Sequence, residues 1–249
     1  MPAPSRARRL ADAFLGRPPA APEAPQPWYT PEQIAQRLCA LPDHAFDTYV
    51  FAREPMSGKL TPDQQRALAE QARRCGRETA HKLRDRYPAD SVAAICEKEG
   101  MVVRRQPQPQ DGGRVLYAQF VQPNEITVFT HCLSTAAQFA RSEGPLACLQ
   151  PAALEPVLLA HELFHAVEER EPDLFSSAYR LPLWQLGPFH HTTPVLCLSE
   201  IAGMAFAKAL TALAFCPYAL DALLLYGYDA AGACAVCDEI TTEEGNPIC

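Results

Sequence analysis

Two histidines four residues apart, with a glutamate beside the first, stand in the run His161-Glu162-Leu163-Phe164-His165. On a helix, positions 161 and 165 lie on one face, one turn apart, so both imidazoles can point at a single ion. Glu162 sits about 100 degrees further around the helix, near enough to touch a water on that ion without becoming a ligand. A zinc ion lowers the pKa of its bound water towards ~7, and a neighbouring carboxylate can then take the proton. The hydroxide so formed attacks a polarised carbonyl. These residue types at this spacing fit amide hydrolysis. The bland alternative is a surface helix with two stray histidines. Against it, the apolar residues 156–160 lead directly into the motif.

A catalytic zinc needs a third protein ligand and one open position. No Gly or His follows the motif at the spacing of a third histidine ligand, where residues 166–171 stand, which argues against the metzincin pattern. Glu200 is the preferred third ligand. It lies one or two turns into an apolar helical stretch, where a carboxylate is costly to bury unless it is paired or bound to metal. Asp173, His190 and His191 are weaker ligand candidates. His190 or His191 could instead donate a hydrogen bond to a tetrahedral oxyanion, and Tyr117 could play the same part. Each of these three also has a plain reading, as a solvated loop residue or as packing in a sheet.

The motif helix is expected over residues 151–170. Before it, strand-like runs cover 101–105, 114–122 and 125–130, with turns at 111–113 and 122–124. The short hops between them favour antiparallel pairing. Thr30-Pro31 and Thr61-Pro62, each with a Gln three residues after the Thr, open helices by the capping-box device, the second running to about residue 86. Short helices are expected over 90–98 and 133–142. Residues 171–193 read as a long loop, and loops of that length are often functional, here as a lid over the cleft. Thr193-Pro194 reads as the start of a helix reaching 215, followed by a helical piece over 219–226. The remainder reads as a small, polar, cysteine-bearing tail.

The expected fold class is therefore α+β: a small antiparallel or mixed three-stranded sheet packed on the motif helix and further helices, with a helical N-terminal extension. The expected divisions are a flexible leader over 1–29, the helical region over 30–88, a metallopeptidase domain over 89–230 and a tail over 231–249.

With these elements the sequence resembles the ImmA/IrrE type of metallopeptidase, a compact gluzincin. In that family a small sheet and a helix precede the HExxH helix, and a later helix brings a Glu followed by Ala at plus three and Phe-Ala at plus six and seven. Here Phe206 and Ala207 stand at those spacings after Glu200, while Gly203 replaces the Ala. The resemblance covers roughly residues 89–225. It implies His161, His165 and Glu200 as zinc ligands and Glu162 as general base, with a protein or peptide substrate cleaved selectively. Tyr117 falls in the strand region that the family uses beside its active site. The region before residue 88 has no counterpart in the family. The alternative is a catalytically silent zinc-binding module of the same fold.

Composition narrows the remaining classes. The formal net charge is -7 and there is no long basic block, so nucleic-acid binding through a basic face is not expected. The apolar stretch 201–220 raises the membrane question, but it contains Lys208 and Pro217, and a buried helix is the preferred reading. The N-terminal residues lack the apolar run of a secretory signal. Ten cysteines at irregular spacing then read as free thiols in a reducing cytoplasm. Cys234 and Cys237 have metal-knuckle spacing and, with Cys216 and Cys249, could form a second zinc site; a redox pair or plain thiols are the other readings.

Overall fold

The computed structural model describes residues 26–107, 115–186 and 189–244. Most of the expected leader, the turn at 111–113 and Cys249 lie outside the described residues. The chain is mixed α+β, as its sequence leads one to expect. Its elements begin with α1 (Pro31–Leu38), α2 (Asp47–Phe51), the long α3 (Pro62–Arg86) and α4 (Val92–Lys98). Both capping boxes form: Thr30 and Thr61 each accept the N–H of the Gln three residues on, and each Gln side chain reaches back to the Thr N–H.

A three-stranded sheet follows, built from β1 (Val102–Gln106), β2 (Ala118–Val121) and β3 (Glu125–Phe129) in the order β1-β3-β2. β3 is central because its last four residues, Ile126 to Phe129, are all buried and need neighbours on both sides. β2 pairs with β3 antiparallel, through the turn at residues 122–124. β1 pairs with β3 in parallel, Val102 opposite Glu125. The antiparallel expectation therefore fails for the first strand. β2 starts only at Ala118, so the connection from β1 is too long for a hairpin and can carry β1 to the far edge of β3.

The helix α5 occupies Thr130–Ala137, earlier in the chain than the expected 133–142. The motif helix α6 occupies Pro151–Arg170 as expected. Residues 171–193 are not an irregular loop. They form the one-turn helix α7 (Phe175–Ala178) and a two-stranded antiparallel hairpin, β4 (Arg180–Leu186) with β5 (Phe189–Pro194). Pro182 is accommodated at a bulge in β4, and Pro194 stands at the end of β5, facing Arg180. Pro194 thus ends a strand rather than opening a helix, and α8 begins later, at Cys197–Thr211. Ala212, in the left-handed region at φ 54°, closes it. The helices α9 (Ala219–Leu225) and α10 (Ala230–Glu244) complete the chain. The stretch expected as a polar tail is in large part the helix α10, with Ala233, Cys234, Cys237 and Ile240 buried.

No helix among the described residues is long and apolar enough to cross a membrane. The apolar run at 201–220 is split between α8 and α9 and is largely buried in the core. That core is continuous from Ile34 on α1 to Ile240 on α10. At its centre α8 packs against both α3 and α6. α8 lies between α6 and α3, and the approach of α3 is close enough that a Cβ at Gly76 would stand 2.0 Å from the carbonyl oxygen of Ala202. Only glycine permits that crossing, and the crossing fixes the height at which α8 faces α6.

Candidate metal centre

The histidines of α6 project on one face, as their spacing requires: Nε2 of His161 and Nε2 of His165 are 3.1 Å apart. Glu200, in the first turn of α8, meets them from the facing helix. Its Oε2 lies 3.3 Å from His161 Nε2, and its Oε1 lies 3.8 Å from His165 Nε2. A tetrahedral ion with ligand bonds of about 2.0–2.1 Å sets its donors about 3.3 Å apart. The three separations bracket that figure, so His161, His165 and Glu200 could hold a metal ion. Among the described residues this is the one group of three or more such side chains gathered closely enough to do so.

The supports of each ligand differ. His165 Nδ1 faces Ser199 Oγ at 3.3 Å and Glu168 Oε2 at 3.8 Å, and Ser199 donates to Glu168. Burial raises the pKa of Glu168, but hydrogen bonds from His165 and Ser199 outweigh it and hold the carboxyl below its ordinary value. A charged Glu168 favours the proton on Nδ1 of His165, which leaves the Nε2 lone pair for the site. His161 Nδ1 is buried and has no hydrogen-bond partner. Its ring is positioned by packing instead: a Cβ at Gly203 would come within 3.1 Å of ring atoms Cε1 and Nδ1. This ring fills the space that an Ala methyl at position 203 would take.

The height of Glu200 depends on a residue that the sequence does not single out. Glu54, buried at 3% exposure, accepts the backbone N–H of Cys197 at 3.0 Å and that of Met56 at 2.9 Å. It thereby caps the first turn of α8, which has no cap of its own. The segment before residue 88 thus takes part in placing Glu200.

Glu162 is not one of the gathered donors; its Oε2 accepts the N–H of Phe120 on the edge strand β2 at 2.7 Å. His161, Glu162, Tyr117 and Met204 line one cavity of about 180 Å³. Glu200, Met204 and Tyr218 line a second, of about 430 Å³, and Asp221 belongs to the walls of both. The triad therefore stands between two hollows. Burial raises the phenol of Tyr117 above its ordinary pKa, which keeps it a proton donor at neutral pH. Asp221 accepts a hydrogen bond from Tyr49 at 3.0 Å, and burial lifts its carboxyl to about 6 against the opposing pull of Tyr49 and His161.

Other nominated residues lie elsewhere. His190 and His191 are exposed on β5, with His191 beside Trp184, and neither lines either cavity. Asp173 is exposed after α6. Cys234 and Cys237 are buried on α10, where Cys234 Sγ contacts the backbone of Tyr29, and they do not collect a third donor among the described residues. All nine cysteines among the described residues are free. Ser199, Glu168, Glu54 and Asp221 were not marked by motif spacing. The Glu three residues after His165 and the Ser just before Glu200 are the signals that could have found the first two.

No family model, curated protein or solved structure matches this chain.

Proposed function

We propose that this protein is a zinc-dependent peptidase of the compact gluzincin type that its sequence resembles. The observation that carries the reading is the convergence of His161 Nε2, His165 Nε2 and Glu200 from two facing helices, at separations suited to a tetrahedral ion, with Glu162 beside them but outside the donor set. Two neutral nitrogens and one carboxylate suit zinc, and three protein ligands leave a fourth direction open. Zinc held there would polarise a substrate carbonyl and acidify the attacking water.

The chain's own groups supply the rest. Glu162 takes the proton of the attacking water and returns it to the leaving amine. The Phe120 N–H holds one oxygen of its carboxylate in place. Tyr117, on the wall shared with His161 and Glu162, is placed to donate its phenol hydrogen to the developing oxyanion. The two hollows on either side of the triad hold the substrate residues flanking the scissile bond.

The test is a search for new N-termini in a cell extract incubated with the wild-type protein or with Glu162→Gln. Cleavages made only by the wild type support the reading. Identical sets of N-termini from the two proteins reject it.

A further inference from the structure

The larger of the two cavities carries more information than its position beside Glu200. Its volume is about 430 Å³, room for a long side chain. Val50, Pro55, Leu196 and Met204 give it an aliphatic sleeve, and the rings of Tyr49 and Tyr218 stand on its wall, 6.4 Å apart at 74°. Its acidic and basic side chains are three carboxylates, Glu54, Glu200 and Asp221, and the single guanidinium of Arg53, beside the uncharged phenols of Tyr49 and Tyr218 and the thiol of Cys197.

Those charges are not equally available. Glu54 is spent on two backbone N–H groups. Glu200 is turned to His161 and His165. Arg53 is committed to both carboxylate oxygens of Glu239 and to the backbone of Tyr49, and lies over the Tyr49 ring. Asp221 remains: it receives a neutral phenol hydrogen from Tyr49 and makes no salt bridge among the described residues. Beside it, the hydroxyl of Tyr218 is buried without any hydrogen-bond partner, in a residue only 8% exposed. A half-buried carboxylate without a cation and a buried phenol without a partner are both costly unless a ligand completes them.

We propose that this cavity is a specificity pocket for a cationic group of the substrate, an alkylammonium or a guanidinium, which donates to Asp221 and to Tyr218 Oη while its aliphatic stem packs in the sleeve. Aromatic walls favour such a cation further. The inference rests on the peptidase reading for its place beside the scissile bond. A lysine or arginine side chain and a free N-terminal amine share this chemistry, and the sleeve of apolar residues favours the side chain.

The test uses the zinc-loaded Glu162→Gln protein, so that binding is read without turnover. The probes are acetyl- and amide-capped alanine pentapeptides carrying lysine, arginine or norleucine at each position in turn, with binding measured by calorimetry. A norleucine peptide with a free N-terminus is the fourth arm. At one position lysine or arginine is expected to bind about tenfold or more tighter than norleucine, as for a hydrogen bond to a charged group. That gain should vanish on adding Asp221→Asn and shrink on adding Tyr218→Phe. A gain from the free N-terminus alone would keep the cation pocket and make a terminal amine its ligand. Equal affinities of all four probes at every position would overturn the proposal without any variant being needed, and so would a gain that survives Asp221→Asn. The peptidase reading fails separately, when the wild-type protein binds such a peptide and leaves it intact.

Discussion

The Oε2 oxygen of Glu200 lies 3.3 Å from Nε2 of His161, across the interface of α8 and α6. Neither helix alone contains the site. It exists because α8 is pressed between α6 and α3 at one particular height, and each device that sets this height is open to mutation.

Gly76 is one such device. A methyl there would meet the Ala202 carbonyl oxygen at 2.0 Å, and neither backbone can yield cheaply. Gly76→Ala is expected to destabilise the protein by about 1–3 kcal/mol, the usual cost of overpacking, and to lower zinc affinity as α8 moves. Thermal denaturation with and without zinc checks both effects.

Gly203 acts on the ring itself. Gly203→Ala places a Cβ 3.1 Å from two ring atoms of His161, which must shift by a few tenths of an ångström. Zinc affinity is expected to fall by about tenfold, as for other losses of ligand support. A competition titration against a chromophoric chelator measures it.

Glu54 holds the start of α8 from the other side. Glu54→Ala removes the acceptor of the Cys197 N–H and is expected to cost about 1–2 kcal/mol, with weaker zinc binding. Glu54→Gln can still accept the Cys197 N–H through its one carbonyl oxygen, but its NH2 then faces the Met56 N–H, so it should keep the zinc affinity and only part of the stability. Equal zinc affinity in the alanine variant and the wild type would show that the cap does not position Glu200.

The pH dependence follows from the pair at the centre. Burial lowers the pKa of His161, but the hydrogen bond with Glu200 and the charges of Glu162 and Glu200 outweigh it, and the net shift is upward. Burial raises Glu200, but the hydrogen bond and charge of His161, with the charge of His165, bring it down to about 2. In the metal-free protein the histidine's share of stability is full below its unfolded value of ~6.5 and is lost as pH rises through the raised folded value. The glutamate's share is present above its unfolded value of ~4.3 and is lost as pH falls towards about 2. The pair therefore stabilises the metal-free fold most between about pH 4.3 and 6.5. The proposed zinc binding would run the other way, since it requires the neutral imidazole: affinity should fall on acidification through the raised pKa of His161, by up to about tenfold per pH unit for each proton displaced. Calorimetric titrations across pH 5–8 (approximately the histidine range) check the sign.

Much of this was legible from local pattern. The capping boxes at Thr30 and Thr61 and the motif helix at 151–170 follow from short-range rules that tertiary contacts did not override. Glu200 stands out in the sequence because a carboxylate buried in an apolar helical stretch calls for a partner; it does meet the two histidines, but its side chain is half exposed rather than buried. The hairpin was not legible, because Pro182 and Pro194 normally argue against strands, and only the bulge and the strand end make them acceptable. The parallel pairing of β1 was hidden because strand order depends on where β2 begins, which the periodicity misplaced. Glu54 and Asp221 could not be found at all: each acts on a helix or cavity distant in sequence, and no spacing rule links Glu54 to Cys197 or Asp221 to His161.

The central claim is tested most directly by returning zinc to the metal-free protein and following peptide hydrolysis at each addition, in the wild type and in Glu162→Gln. The account predicts that wild-type activity grows with zinc to one equivalent and then stops growing, and that Glu162→Gln takes up the same single equivalent yet hydrolyses nothing. Hydrolysis by the metal-free wild type, or a Glu162→Gln protein cleaving at the wild-type rate, would contradict it.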